Sequence, residues 1–136
     1  MNERRMFLKR SVLAAGGLAF FKSTNALAAS GGFPAGIIYT KENPGKWVKK
    51  IKGHVPVVKV DGTEVTITTN HDMFKMHYIV RHTLVTAGGK VIGEKTFYPT
   101  DPEPLSTFDL PTGAGSKFYA TSFCNLHDFW MTEFSI

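Results

Sequence analysis

The sequence predicts an all-β protein, a two-sheet antiparallel β-sandwich of about seven strands. Three observations predict it. β-Branched and aromatic residues come in short runs separated by glycine, proline and aspartate turns. No window of useful length beyond residue 28 carries the apolar period of a helix. About 108 residues follow that point, enough for one modest core closed from both sides by short-stranded sheets.

Residues 1–28 read as an address and not as part of this fold. Arg4-Arg5-Met6-Phe7-Leu8-Lys9 has the form of a twin-arginine signature, and the apolar run Val12 to Phe21 follows it. That run is shorter than the roughly 20 residues a membrane-spanning helix needs. Ala26-Leu27-Ala28 supplies a small-x-small cleavage pattern, which makes Ala29 the expected mature N-terminus. No cysteine follows the run to carry a lipid. The expectation is export to the periplasm in the folded state, with no stable membrane insertion after cleavage. The leader also holds most of the net charge of +5; the remainder has 11 basic and 10 acidic residues. The basic balance of the whole chain is therefore no argument for nucleic acid. With one cysteine there is no intrachain disulfide.

Residues 29–45, with Ser30-Gly31-Gly32-Phe33-Pro34, are expected to be a flexible lead-in, and 46–136 the domain. His54 to Val60 is rich in β-branched residues, and Asp61-Gly62 is a hairpin turn leading to the alternating Glu64–Thr69. His77 to Ala87 is a long strand candidate that Gly88-Gly89 turns into Lys90–Tyr98. Three prolines make 99–104 a loop; Leu105–Leu110 is a short strand. Lys117–Phe123 and Phe129–Ile136 are aromatic-rich strands on either side of Cys124-Asn125-Leu126-His127.

That last turn is where chemistry is expected. A thiolate and an imidazole three residues apart can reach one metal ion, and the N–H groups of the turn can stabilise the sulfur. Alone, the pair is a weak signal, and a buried structural cysteine beside a surface histidine is the plainer reading. His54, His71 and His77 also stand at strand ends, where loops gather to build sites. His82, an odd five residues past His77, falls on the other strand face and is expected to be a surface or hydrogen-bonded histidine. Four imidazoles and a thiolate exceed tetrahedral zinc and suit iron or copper. Such a set leaves one position of an octahedron free for a small reactant.

His54-Val55-Pro56, then His71 and His77-Tyr78-Ile79, then Cys124-Asn125-Leu126-His127 followed by Trp130, together resemble superoxide reductases of the one-iron neelaredoxin type. The likeness runs from about Lys46 to the C-terminus. It implies an immunoglobulin-like sandwich and one Fe(2+)/Fe(3+) centre per chain. His54, His71, His77 and His127 would be its equatorial ligands and Cys124 its axial thiolate. The implied reaction is one-electron reduction of superoxide to hydrogen peroxide, with a small donor protein such as a rubredoxin or cytochrome. A homo-oligomer is compatible with it. The cysteine-rich extra domain of two-iron desulfoferrodoxins is not expected, since no other cysteine is present.

The sequence departs from the family's Glu-Lys-His-Val-Pro, reading Lys52-Gly53-His54-Val55-Pro56. The glutamate is replaced by Lys52 and the lysine by Gly53. Lys52 is the candidate to attract superoxide and organise protons, with Gly53 giving the loop freedom to place it. Lys49 and Lys50 are further candidates. Asp72 and Asp128 stand where proline and glycine are usual. The main rival is a blue-copper electron carrier built on His71, Cys124, His127 and Met131, which leaves His54 and His77 without a role. A metal-free binding module and a Cys124–His127 hydrolase are the remaining classes considered.

Overall fold

The computed structural model describes residues 34–136, so the leader and the first residues of the lead-in lie outside the described residues. Among the described residues no helix is long and apolar enough to cross a membrane. The described residues form eight strands in two sheets: β1 (Ile38–Tyr39), β2 (Val57–Asp61), β3 (Glu64–Thr68), β4 (Ile79–Thr86), β5 (Val91–Thr96), β6 (Leu105–Asp109), β7 (Lys117–Cys124) and β8 (Asp128–Ser135). The larger sheet has the order β1-β8-β7-β4-β5 and the smaller β2-β3-β6.

The turn chemistry explains the hairpins. Gly62 at φ 60 and Gly89 at φ 85 supply the left-handed residues that join β2 to β3 and β4 to β5. Gly93 answers to a different need: a Cβ there would lie 2.4 Å from the Phe108 ring. The bare backbone is what lets β5 close against β6.

The alternating strands put two apolar clusters between the sheets. Val65, Ile67, Leu84, Leu110, Phe118 and Ala120 make one; Ile79, Phe97 and Cys124 make the other, with Met73 packed against it. The second lies at the end of the sandwich where β4 begins and β7 ends, and the site stands on it.

Two features differ from the sequence reading. The segment preceding β2 is helical, as a 3-10 stretch Gly45–Lys50 running into the short helix α1 (Ile51–His54). These turns are too short to show an apolar period, so His54 closes a helix and does not open a strand, and Gly53 lies within α1 and not in a loop. The lead-in also contributes β1, which pairs in parallel with β8. The larger sheet is therefore mixed.

Candidate metal centre

Three pieces of backbone carry the site. α1 delivers His54; the irregular segment between β3 and β4 delivers His71 and His77; the turn between β7 and β8 delivers Cys124 and His127. The latter two are tied together by Asn125. Its Oδ1 accepts from the Tyr78 N–H at 3.0 Å, its Nδ2 donates to the Met76 carbonyl at 3.0 Å, and its own N–H donates to the Tyr78 carbonyl at 3.2 Å. Within the first loop, Phe74 and His77 exchange backbone hydrogen bonds of 3.0 Å.

The four imidazoles form a closed ring. Neighbouring centroids, in the order His54, His71, His77, His127, are 4.4–4.7 Å apart, with planes crossed at 71–89°. His54 and His77, opposite each other, are 6.0 Å apart and nearly parallel at 24°. His71 Nε2 is 3.0 Å from His77 Nε2, which is 2.9 Å from His127 Nδ1, which is 3.0 Å from His54 Nε2. Nitrogens about 2.1 Å from a shared metal and at right angles to one another would be about 3.0 Å apart. Cys124 Sγ lies 3.6 Å from His127 Nδ1. The ligating atoms of His54, His77, Cys124 and His127 all lie within 4.8 Å of one another. His71 joins at the margin of this group, through His77.

Hydrogen bonding cannot account for such an arrangement. His127 Nδ1 has two ring nitrogens and a sulfur around it, yet a neutral imidazole nitrogen is a single donor or a single acceptor. A cation at the centre satisfies every one of these lone pairs, so the donor set fits a metal ion. Outer contacts fix the tautomers for it. His54 Nδ1 donates to the Lys50 carbonyl at 3.0 Å and His71 Nδ1 to the Asp72 carbonyl, which leaves both Nε2 atoms bare.

Electrostatics favours the ligating form of the imidazoles. Burial pushes His54 down to about 4, and burial likewise lowers His71, His77 and His127, so the imidazoles stay neutral. Burial raises the Cys124 thiol, opposed by N–H groups of Leu126 and His127. Lys50 acts on His71, His77, His127 and Cys124, and it favours the bare imidazole and the thiolate alike. Asp72 also bears on His71, and Asp128 on His127 and Cys124; Lys52, the first of the three candidate lysines of the sequence, is an exposed residue of α1. Residues two apart on a helical turn point in different directions.

The sequence marks Trp130 as part of the motif but gives no role to it or to Trp47. Trp130 is fully buried beside His54 and donates from Nε1 to the His127 carbonyl at 2.8 Å. Trp47 meets the His127 ring edge-on and donates to Asp128 Oδ2 at 2.8 Å. This bond and Lys46 hold the Asp128 carboxyl below its usual range. Asp128 has φ 65, a conformation glycine adopts freely and aspartate tolerates, so the turn does not require a glycine. His82 lies elsewhere, fully buried and hydrogen-bonded within the core. Met131, the axial ligand of the copper reading, lines a groove with Thr83, Thr121 and Phe129.

Fold and donor set define the class: a β-sandwich metalloprotein with a mononuclear histidine–thiolate centre. The desulfoferrodoxin family model matches residues 46–133, and the chain belongs to that family. Among solved structures it is similar to a superoxide reductase (neelaredoxin) from Ignicoccus hospitalis, at 27% identity and TM-score 0.62, covering 73% of this chain and 93% of that one. It is also similar to the one-iron superoxide reductase from Giardia intestinalis, at 25% identity and TM-score 0.58, covering 62% and 99%. The reduced form of a neelaredoxin from Archaeoglobus fulgidus matches at 28% identity and TM-score 0.56, covering 65% and 91%. A search of curated proteins finds no match.

Proposed function

We propose that this chain is a superoxide reductase: superoxide takes up one electron and two protons and leaves as hydrogen peroxide. The observation that carries this reading is the closed ring of His54, His71, His77 and His127 with Cys124 beside it, in a chain of the desulfoferrodoxin family. These five residues would hold one iron ion. Bound there, iron supplies the one-electron couple, Fe(2+) to Fe(3+).

The residues around it do the rest. Four neutral imidazoles and one thiolate would leave a divalent ion with a net positive charge, which would draw an anion. Lys50 adds to that attraction. The N–H groups of Leu126 and His127 hold the sulfur and moderate its donation. His77 and His127 are only half-buried, so water reaches the site with protons. A small external electron-carrier protein would restore the reduced state. The similar structures are superoxide reductases, which supports the same assignment here.

The leader pattern Arg4-Arg5 with Ala26-Leu27-Ala28 supports export to the periplasm by the twin-arginine route, with the metal inserted before export. Metal analysis of protein matured in its own host tests the core of this reading. One iron per chain, with a thiolate charge-transfer band that Cys124→Ser abolishes, is expected. Copper at equal stoichiometry would overturn it.

A further inference from the structure

Between the two apolar clusters runs a buried layer of hydrogen-bonding side chains that the metal centre does not touch. His82 is fully buried; its Nε2 lies 2.9 Å from Thr69 Oγ1 and its Nδ1 2.9 Å from Ser106 Oγ. Thr69 Oγ1 is also 2.8 Å from Ser122 Oγ. The Phe97 ring closes the layer, with centroids 4.8 Å apart and near-perpendicular planes. No buried side-chain polar atom among the described residues lacks a partner.

The layer joins sheet to sheet. Thr69 follows β3 directly and Ser106 lies in β6, both of the smaller sheet. His82 and Ser122 are register partners across β4 and β7 of the larger one. Its place along the chain is equally ordered. Ile67, Thr69 and His71 follow one another at two-residue steps, as do Ala120, Ser122 and Cys124. In each series a core residue comes first, a hydroxyl second and a metal-site residue third. The His71 N–H also donates to the Thr69 carbonyl at 2.8 Å. The two hydroxyls that precede His71 and Cys124 are thus bonded to each other across the sandwich.

Apolar side chains of the same volume would stabilise the fold as well or better, because a buried polar network gains little net stability. What hydrogen bonds add is direction: apolar contacts between sheets tolerate sliding, whereas O–H···N and O–H···O contacts do not. His71 stands three residues past the end of β3 in the smaller sheet and Cys124 ends β7 in the larger, so any slide would alter their separation.

We propose that His82, with Thr69, Ser122 and Ser106, is a positioning network that fixes His71 relative to Cys124 at the metal centre. The inference rests on the metal-centre reading above. Thr69→Val keeps the side-chain shape and removes the hydroxyl; Thr69→Ser returns it. Leu84→Ala, in the far apolar cluster, serves as a control for lost stability alone. Each full chain is loaded with cobalt(II), its charge-transfer spectrum recorded and its affinity measured against a competing chelator. A parent chain that gave no thiolate band would overturn the metal-centre reading itself, separately from the network.

With that band present, Thr69→Val should shift it and weaken cobalt binding about tenfold, the lower end of what outer-shell partners contribute. Thr69→Ser should restore both, and Leu84→Ala should lower the urea midpoint without moving the band. Ser122→Ala, which removes the same bond from the other side, keeps the test intact if one variant fails to fold. Unchanged band and affinity in Thr69→Val and Ser122→Ala, with stability lost as in Leu84→Ala, would overturn the proposal.

Discussion

His82 should make the fold acid-labile by an amount that can be worked out. Burial, helped by Lys95, pushes its pKa from 6.5 to about 3. The unfolded chain therefore takes up a proton near pH 6.5, where the folded chain still refuses it. Stability from this residue is complete above pH 6.5 and lost progressively as pH falls toward 3. The loss runs at about 1.4 kcal/mol per pH unit and reaches about 4–5 kcal/mol in all. That is comparable to the roughly 5–15 kcal/mol that holds a domain together. His82→Gln keeps a donor and an acceptor but cannot titrate. Urea unfolding of parent and variant, with chelator in every sample, cancels the titration of the site histidines. The parent's advantage over the variant should shrink by about 2–3 kcal/mol between pH 7.5 and 4.5. A constant difference across that range would refute the claim that His82 is held neutral in the core.

Lys50→Ala should slow the second-order reaction with superoxide and flatten its ionic-strength dependence, measured by pulse radiolysis. Lys52→Ala should do so less, and the reverse order would return the role to Lys52. Cys124→Ser should remove both the thiolate absorption and superoxide reduction; a variant retaining both would take Cys124 out of the site. Gly93→Ala should cost about 1–3 kcal/mol in urea unfolding, since its Cβ would strike Phe108. The second change Phe108→Leu should recover part of that loss.

What the sequence made legible is local. Asp61-Gly62 and Gly88-Gly89 announced two hairpins because left-handed residues at those turns are a property of the dipeptide. The five site residues stood out because histidines at strand ends, and a cysteine three from a histidine, have few other uses together. What stayed hidden depends on distant partners. The helical turns before His54 hold too few residues for a period, so the directions taken by Lys49, Lys50 and Lys52 come only from packing. Strand parity counted from His77 does not reach the surroundings of His82, because β4 begins at Ile79 and carries an irregularity between Ile79 and Arg81. Its hydroxyl partners come from three separate segments, 13, 24 and, by way of Thr69, 53 residues apart in sequence. No spacing rule reaches that far.

The proposed reaction at this centre is reduction of superoxide and not disproportionation. The two reactions differ in stoichiometry. Reduction yields one hydrogen peroxide per superoxide and oxidises one protein centre; disproportionation yields one peroxide and one dioxygen per two superoxide ions and leaves the centre's oxidation state unchanged. The direct measurement mixes the reduced, iron-loaded chain with substoichiometric superoxide, then counts peroxide formed and centres oxidised. One peroxide and one oxidised centre are expected for each superoxide consumed. One peroxide for every two superoxide ions, with the protein still reduced, would contradict it.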